Sequence, residues 1–266
     1  MNKLSAFLST IKFSHTLFAL PFAYTGLVIA GNASGRTWFW VTVAMVGLRT
    51  TGMITNRLVD FDFDKRNPRT KDWPLAQGLV SPHLLLWVSL PSFFVYFWAA
   101  RELNPLCFLL SPIPFLAVIL YPFLKRFTWL CHVFLGGILA MAPMAGWIAA
   151  RGELVLQPVP LVFSVLFWVS GFDILYALQD EEFDRREGLF SVPQSFGALK
   201  AKILARTFHV LALVSLAGFG VLNHLGIYFW AGFALAAVVI FAARNIFVNA
   251  AFSVIIFIST WIDIIL

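Results

Sequence analysis

Apolar residues run along this chain in long blocks, without the one-sided helical or alternating patterns of a soluble domain. Blocks of roughly 18–22 residues, the length that crosses a hydrocarbon core of ~30 Å, fall near 14–31, 38–55, 83–100, 104–124, 129–150, 158–178, 203–222, 226–243 and 246–266. They predict an all-α, polytopic membrane protein of nine transmembrane helices, with one domain covering residues 1–266. The first block trails into Ala-Gly-Asn-Ala-Ser-Gly, the kind of end a signal peptide has, but it is read here as a membrane helix. Composition agrees with the pattern. Of 266 residues 60% are hydrophobic and 12% charged, with 29 Phe and 10 Trp, and the mean hydropathy is +0.85. Such a chain cannot coat a soluble globule with polar side chains. Cys107 and Cys131 both sit in apolar blocks and read as packed thiols, with no disulfide framework or metal quartet.

A net charge of +6 in a membrane protein bears on orientation, not on nucleic acid, and no nucleic-acid partner is expected. With nine crossings, Lys3, Lys12, Arg57, Lys65, Arg66, Arg69, Lys71, Lys125, Arg126, Arg185, Arg186, Lys200, Lys202, Arg206 and Arg244 share one side. Arg36, Arg101 and Arg151 lie on the other. The excess places the amino terminus and the even-numbered loops in the cytoplasm and Leu266 outside. Two cytoplasmic connections, near 56–82 and 179–202, are longer than the rest. They hold Asp60, Asp62, Asp64, Asp72, Asp180, Glu181, Glu182, Asp184 and Glu187, nine of the 13 acids. One follows the second helix and the other the sixth, as in two related four-helix halves plus a ninth helix.

In the first of these loops Asn56, Asp60 and Asp64 recur every four residues and share one helical face; Asp180 and Asp184 repeat the spacing in the second. Like charges four apart oppose a helix by a few tenths of a kcal/mol, so carboxylates so arranged at two helix ends point to a shared cation. Oxygen-only ligands suit Mg²⁺. Arg57, Arg66, Arg69, Lys71, Lys125, Arg126, Arg185 and Arg186 stand around them, more positive charge than a metal site needs. Acids for Mg²⁺ and bases for phosphate oxygens together describe a diphosphate site. Positive-inside bias alone accounts for Lys200, Lys202, Arg206 and Arg244.

Ionisable residues at membrane depth are costly and therefore functional candidates. Arg49 lies seven residues before Asn56 and Asp173 seven before Asp180, each two turns or ~10 Å deeper on its motif's face. They are either two walls of one cavity or a structural Arg–Asp pair. Asp263, near the outer end of the last helix, has no motif beside it. Tyr121 and Lys125 end the fourth helix at i and i+4, and Tyr176 lies between Asp173 and Asp180. Both tyrosines fit the cavity and also the ordinary preference of Tyr for interfaces. His15 opens the first helix and reads as a packing or capping residue.

The two motifs, with Asn67-Pro68-Arg69-Thr70 after the first and Tyr176 before the second, resemble the UbiA superfamily of intramembrane aromatic prenyltransferases. The resemblance extends through His15-Thr-Leu-Phe-Ala-Leu-Pro-Phe-Ala23, Leu135-Gly-Gly137, Ala142-Pro143 and Gly188-Leu-Phe-Ser191-Val-Pro193. These flanks are similar to the 4-hydroxybenzoate branch and to the related enzymes of the futalosine route to menaquinone. The resemblance implies nine helices around a central lateral cavity, capped on the cytoplasmic side by the two Asp-rich loops. It implies Mg²⁺ and a polyprenyl diphosphate at Asn56, Asp60, Asp64, Asp180 and Asp184, with Arg57, Arg69, Lys71, Tyr121 and Lys125 on the diphosphate. An aromatic carboxylate acceptor would meet Arg49, Asp173 and Tyr176. Members often carry Arg before the Pro of the first loop, where this chain has Asp72-Trp73-Pro74; Lys71 is the nearest substitute.

The expected reaction is electrophilic aromatic substitution in quinone biosynthesis, in a site that keeps water from the allylic cation. Arg49 would orient the acceptor and Asp173 take its proton. The first acceptor is 4-hydroxybenzoate; a dihydroxynaphthoate is the alternative, and an ion carrier is the alternative of another class. No Arg- and Ser-rich leader is visible, which points to a prokaryotic inner membrane with the site facing the cytoplasm.

Overall fold

Local chemistry sets the helix boundaries. In the computed structural model, which describes residues 3–12, 19–31, 33–242 and 246–266, the side chains of Ser34, Ser81, Asn104 and Ser191 each accept the backbone N–H three residues on. Each satisfies an orphan donor of a helix's first turn, and a proline in that turn has no donor to satisfy. Gly152 and Gly188 end two helices with φ of 71° and 68°, a left-handed conformation that costs glycine nothing.

The elements are α1 (Lys3–Thr10), α2 (Leu20–Ala30), α3 (Gly35–Val59), α4 (Phe61–Arg66), α5 (Pro82–Leu103), α6 (Pro105–Leu110), α7 (Pro112–Leu124), α8 (Cys131–Arg151), α9 (Val159–Ala177), α10 (Glu181–Glu187), α11 (Val192–Phe196), α12 (Ala198–Leu222), α13 (Ile227–Ala242) and α14 (Ile246–Ile265). A 3₁₀ turn at Leu178–Asp180 precedes α10, and no strand occurs among the described residues. Each apolar block contains helix. Five stretches, Pro82–Leu103, Pro105–Leu124, Cys131–Arg151, Val159–Glu187 and Ala198–Leu222, are long and apolar enough to cross a membrane; Leu20–Ala30, Ile227–Ala242 and Ala251–Ile265 are apolar but shorter. His15 and Arg244 lie outside the described residues.

The fourth block is interrupted where one helix was expected. Pro112 has no N–H to offer the carbonyl of Phe108, and the Ser111 hydroxyl donates to that carbonyl instead, at 2.7 Å. The Ser111 carbonyl is in turn taken by the Tyr96 hydroxyl at 2.8 Å. The break thus leaves both carbonyls paired.

Helices α2, α9 and α14 meet at an aromatic knot in which the Trp168 and Phe252 rings stack at 4.9 Å and Phe22 meets Trp168 edge-on at 5.5 Å. Glycine lets α2 and α8 approach backbone to backbone. A Cβ on Gly26 would overlap the Pro143 carbonyl, and one on Gly146 the Ala23 carbonyl. Gly146→Ala is therefore expected to destabilise the protein by about 1–3 kcal/mol, read as a lower midpoint in a thermal size-exclusion assay. Gly137→Ala, whose Cβ would meet nothing within 4 Å, should leave the midpoint unchanged or raise it.

Large apolar side chains also cover the outside: Trp87, Phe94 and Trp98 on α5 are 73%, 65% and 65% exposed. In water such a surface aggregates, whereas in lipid it is the contact surface. Asp263, unexplained from sequence, accepts the backbone N–H groups of Gly226, Tyr228 and Phe229. It caps the start of α13, and its charge satisfies orphan donors and complements the helix dipole.

Candidate active site

Helices α2 to α10 enclose a cavity of about 910 Å³. One end is polar, lined by Lys12, Asn56, Arg57, Asp60, Asp64, Asn67, Arg69, Trp73, Tyr121, Lys125, Asp180 and Asp184. The other is apolar and runs past Met45, Leu139 and Met144 to Ile113, Leu154 and Phe163, which are 57%, 60% and 48% exposed. The cavity thus leads from charged groups to an apolar outer surface. Arg49, Asp173 and Tyr176 line it as well.

The first motif keeps its four-residue face across a helix break. α3 ends at Val59 and α4 begins at Phe61, but Asp60 N–H bonds to Asn56 O at 3.0 Å and Asp64 N–H to Asp60 O at 2.7 Å. The helical register therefore continues through Asp60 and aims all three side chains into the cavity. Asp62, between them, is exposed and does not line it. The second motif is delivered by the 3₁₀ turn and α10, which bury Asp180 and Asp184 to 4% and 1% exposure.

Opposite charges are interleaved at the polar end. Arg69 holds Asp180 in a two-pronged bond, Nε to Oδ1 at 2.9 Å and a terminal nitrogen to Oδ2 at 2.6 Å. Asn67 Nδ2 adds a third bond at 2.9 Å, while its Oδ1 accepts Arg69 N–H at 2.9 Å in an Asx turn. Arg69 also donates to the Tyr176 hydroxyl at 3.2 Å. Arg57 pairs with Asp64 at 2.9 Å and Lys125 with Asp184 at 3.3 Å. The two acidic segments are further joined by Arg66 to Glu187 at 2.6 Å. Burial alone would lower the Arg69 and Lys125 pKa values, but their carboxylate partners outweigh it and raise both.

Asp60 differs from the other three acids, because among the described residues only the Asn56 amide bonds its side chain, at 3.2 Å. Burial, and then the charge of Asp64, push its carboxyl up to about 6. A buried carboxylate beside another carboxylate is what a cation relieves, and the donors around it are all oxygen. Among the described residues no three carboxylates come close enough to hold an ion alone. One or two carboxylates plus phosphate oxygens is how Mg²⁺ is ordinarily held, and a carboxylate bonded to a base keeps lone pairs for a metal. The donor set fits Mg²⁺ with a diphosphate better than the ion by itself.

Arg49 projects into the cavity two turns below Asn56. Its Nε is buried and has no hydrogen-bond partner among the described residues, and no ion pair joins it to Asp173. The structural Arg–Asp pair is therefore absent. Asp173 bonds His132 instead, at 2.7 Å.

Lys71 is exposed and does not line the cavity, which corrects its expected place as a substitute phosphate contact: the turn after Asn67 directs it outward. Trp73 lines the cavity in its stead and gathers cations, with Arg57 4.0 Å, Lys12 4.8 Å and Arg69 5.4 Å from the ring centre. Burial, with Arg57 and Arg69 nearby, lowers the Lys12 pKa. Lys12, Asn67, Trp73 and His132 were missed in the sequence. Asn67 stood inside a quoted motif and Lys12 passed as an orientation charge, but nothing in the chain's patterning marked His132.

The UbiA prenyltransferase family matches residues 19–252, and the chain belongs to that family. It is a membrane-embedded prenyltransferase, and the ion-carrier alternative falls. It is 29% identical over 225 residues to a 4-hydroxybenzoate octaprenyltransferase of Francisella tularensis subsp. novicida, covering 84% of this chain and 78% of the relative. It is 35% identical to 4-hydroxybenzoate geranyltransferase 2 of Lithospermum erythrorhizon over 57% of this chain and 50% of the relative. The apo structure of a UbiA homologue from Aeropyrum pernix superposes with a TM-score of 0.88 at 32% identity, covering 94% of this chain and 98% of that one. A UbiA homologue from Archaeoglobus fulgidus, bound to GPP and Mg²⁺, shares the fold at 18% identity with a TM-score of 0.75, covering 98% and 100%.

Proposed function

We propose that this protein transfers an isoprenyl chain from a polyprenyl diphosphate to a carboxylated aromatic acceptor, with 4-hydroxybenzoate first, in a Mg²⁺-dependent step of quinone biosynthesis. The observation that carries the reading is Arg49: a guanidinium lining the cavity below the motif, with a buried Nε that nothing satisfies among the described residues. A planar carboxylate supplies the missing acceptor in a two-pronged pair. The names of the Francisella and Lithospermum relatives support the same acceptor, and the GPP and Mg²⁺ of the Archaeoglobus fold neighbour support the donor and the metal.

In this reading Asn56, Asp60, Asp64, Asp180 and Asp184 hold Mg²⁺. The bound ion would supply Lewis-acid stabilisation of the leaving diphosphate. Arg57, Arg69 and Lys125, now paired with acids, turn to phosphate oxygens, and Tyr121 donates beside them. The apolar limb of the cavity takes the prenyl tail and excludes water from the allylic cation, while Arg49 orients the acceptor ring. Asp173 accepts the phenol hydrogen bond or the ring proton, with Tyr176 beside the ring. Nine crossings in one domain, with the acidic segments capping a cytoplasm-facing site in a prokaryotic inner membrane, complete the reading.

The test is diphosphate release from purified protein in lipid with geranyl diphosphate and Mg²⁺, with and without 4-hydroxybenzoate, and the product analysed by mass. Prenylated 4-hydroxybenzoate is expected, and EDTA should abolish it until Mg²⁺ is restored. Product only with a dihydroxynaphthoate would reassign the acceptor. No product with any aromatic carboxylate overturns the reading.

A further inference from the structure

The one histidine side chain lining the cavity among the described residues is placed between two anchors. His132, in the first turn of α8, is 1% exposed, and its Nδ1 lies 2.7 Å from Asp173 Oδ2. Its Nε2 lies 3.2 Å from the backbone nitrogen of Val192, which donates. A backbone N–H can only donate, so Nε2 must carry the lone pair. The proton is then on Nδ1 and points at Asp173. The ring is neutral, and Asp173 is left as an acceptor with its remaining lone pairs facing the cavity.

Val192 belongs to the segment that follows the second acidic motif. Its neighbour Ser191 is fully buried, lies beside the Asp184 carboxylate and caps α11 through Gln194 N–H at 3.3 Å. Val192, next to a residue beside Asp184 at the diphosphate end, is thus bonded to His132 and through it to Asp173, at the acceptor end. The Val192 N–H has no freedom to follow the ring, because Pro193 and the cap lock its backbone.

We infer that His132 is the positioning residue of the acceptor site: its Nδ1–H sets the orientation of the Asp173 carboxylate toward the acceptor hydroxyl, with the imidazole fixed by Val192. This rests on the aromatic-acceptor reading above. It predicts unequal effects of two amide replacements. Gln at 132 can accept from Val192 at the Nε2 position but offers Asp173 no donor at Nδ1, whereas Asn offers the donor and gives up Val192.

The experiment measures kcat and KM for both substrates in lipid for wild type, His132→Gln and His132→Asn, with thermal midpoints alongside. His132→Gln should lower kcat/KM for the aromatic acceptor by about 10- to 100-fold, the range seen when a supporting hydrogen bond to a functional group is lost. The KM for geranyl diphosphate should stay within about threefold. His132→Asn should recover most of the acceptor kcat/KM. Histidine ¹⁵N spectra of the wild type, assigned by difference from the variants, should show a neutral ring protonated at Nδ1. Equal losses in both variants that track a fall in midpoint, an unaffected His132→Gln enzyme, or an Nε2–H tautomer each overturn the inference. An active wild type with any of those results leaves the functional reading standing; a wild type inert toward every aromatic carboxylate overturns both.

Discussion

Asp180→Ala is expected to lower kcat for prenyl transfer by on the order of 10²–10³-fold or more, the scale on which one preorganised electrostatic contact to a leaving group is worth. Asp180 is buried and accepts three hydrogen bonds, two from Arg69 and one from Asn67. On the proposed reading, removing it takes away a metal ligand and also releases the guanidinium held for phosphate. The control is Asp62→Ala, which deletes an acid lying between two motif acids in sequence but exposed and outside the cavity. It should stay within about twofold of wild type. Rates are to be measured at saturating Mg²⁺ and both substrates, with membrane-inserted protein quantified. Equal losses in the two variants would mean that net charge at this surface matters and the proposed ligand geometry does not.

Arg49→Ala is expected to raise the acceptor KM by roughly 10²-fold, since a hydrogen-bonded charge pair in a poorly solvated site is worth about 1.5–3 kcal/mol. The geranyl diphosphate KM should hardly move, because Arg49 lies two turns below the motif. Arg49→Lys should recover little of the loss: an ammonium cannot reproduce the two parallel N–H bonds of the guanidinium. An acceptor ester, lacking the carboxylate, should bind wild type and Arg49→Ala alike. A variant that loses kcat for all acceptors without a KM change would place Arg49 with the reacting centre instead of the carboxylate.

The motif residues were legible because their chemistry is local. Asn56, Asp60 and Asp64 recur at the helical period, and the backbone bonds across residue 60 preserve that period even though α3 ends one residue earlier. The depth of Arg49 and Asp173 was readable for the same reason, as a count of turns from each motif. The ambiguity between a cavity and an internal Arg–Asp pair was not, since both have the same sequence. It was decided by the placement of His132, 41 residues before Asp173 in the chain, which takes the carboxylate and leaves the Arg49 Nε without a partner among the described residues. Lys71 and Trp73 show the opposite error. Charge alone favoured the lysine, but the Asx turn at Asn67 directs it to solvent and brings in the indole, around which Lys12, Arg57 and Arg69 collect.

By itself the sequence determined the solvent of this protein, the helical class, the approximate place of each apolar block and the residue types of the proposed metal and diphosphate site. Those follow from transfer free energy and helical period, which act over a few turns of chain. Tertiary structure alone decided which base pairs with which acid, where the apolar limb of the cavity emerges, why Asp263 is tolerated and which group orients Asp173. Each of those depends on side chains from different helices meeting at hydrogen-bond distance, and such meetings are set by how closely the helices pack, as at Gly26 and Gly146, which no single stretch of sequence encodes.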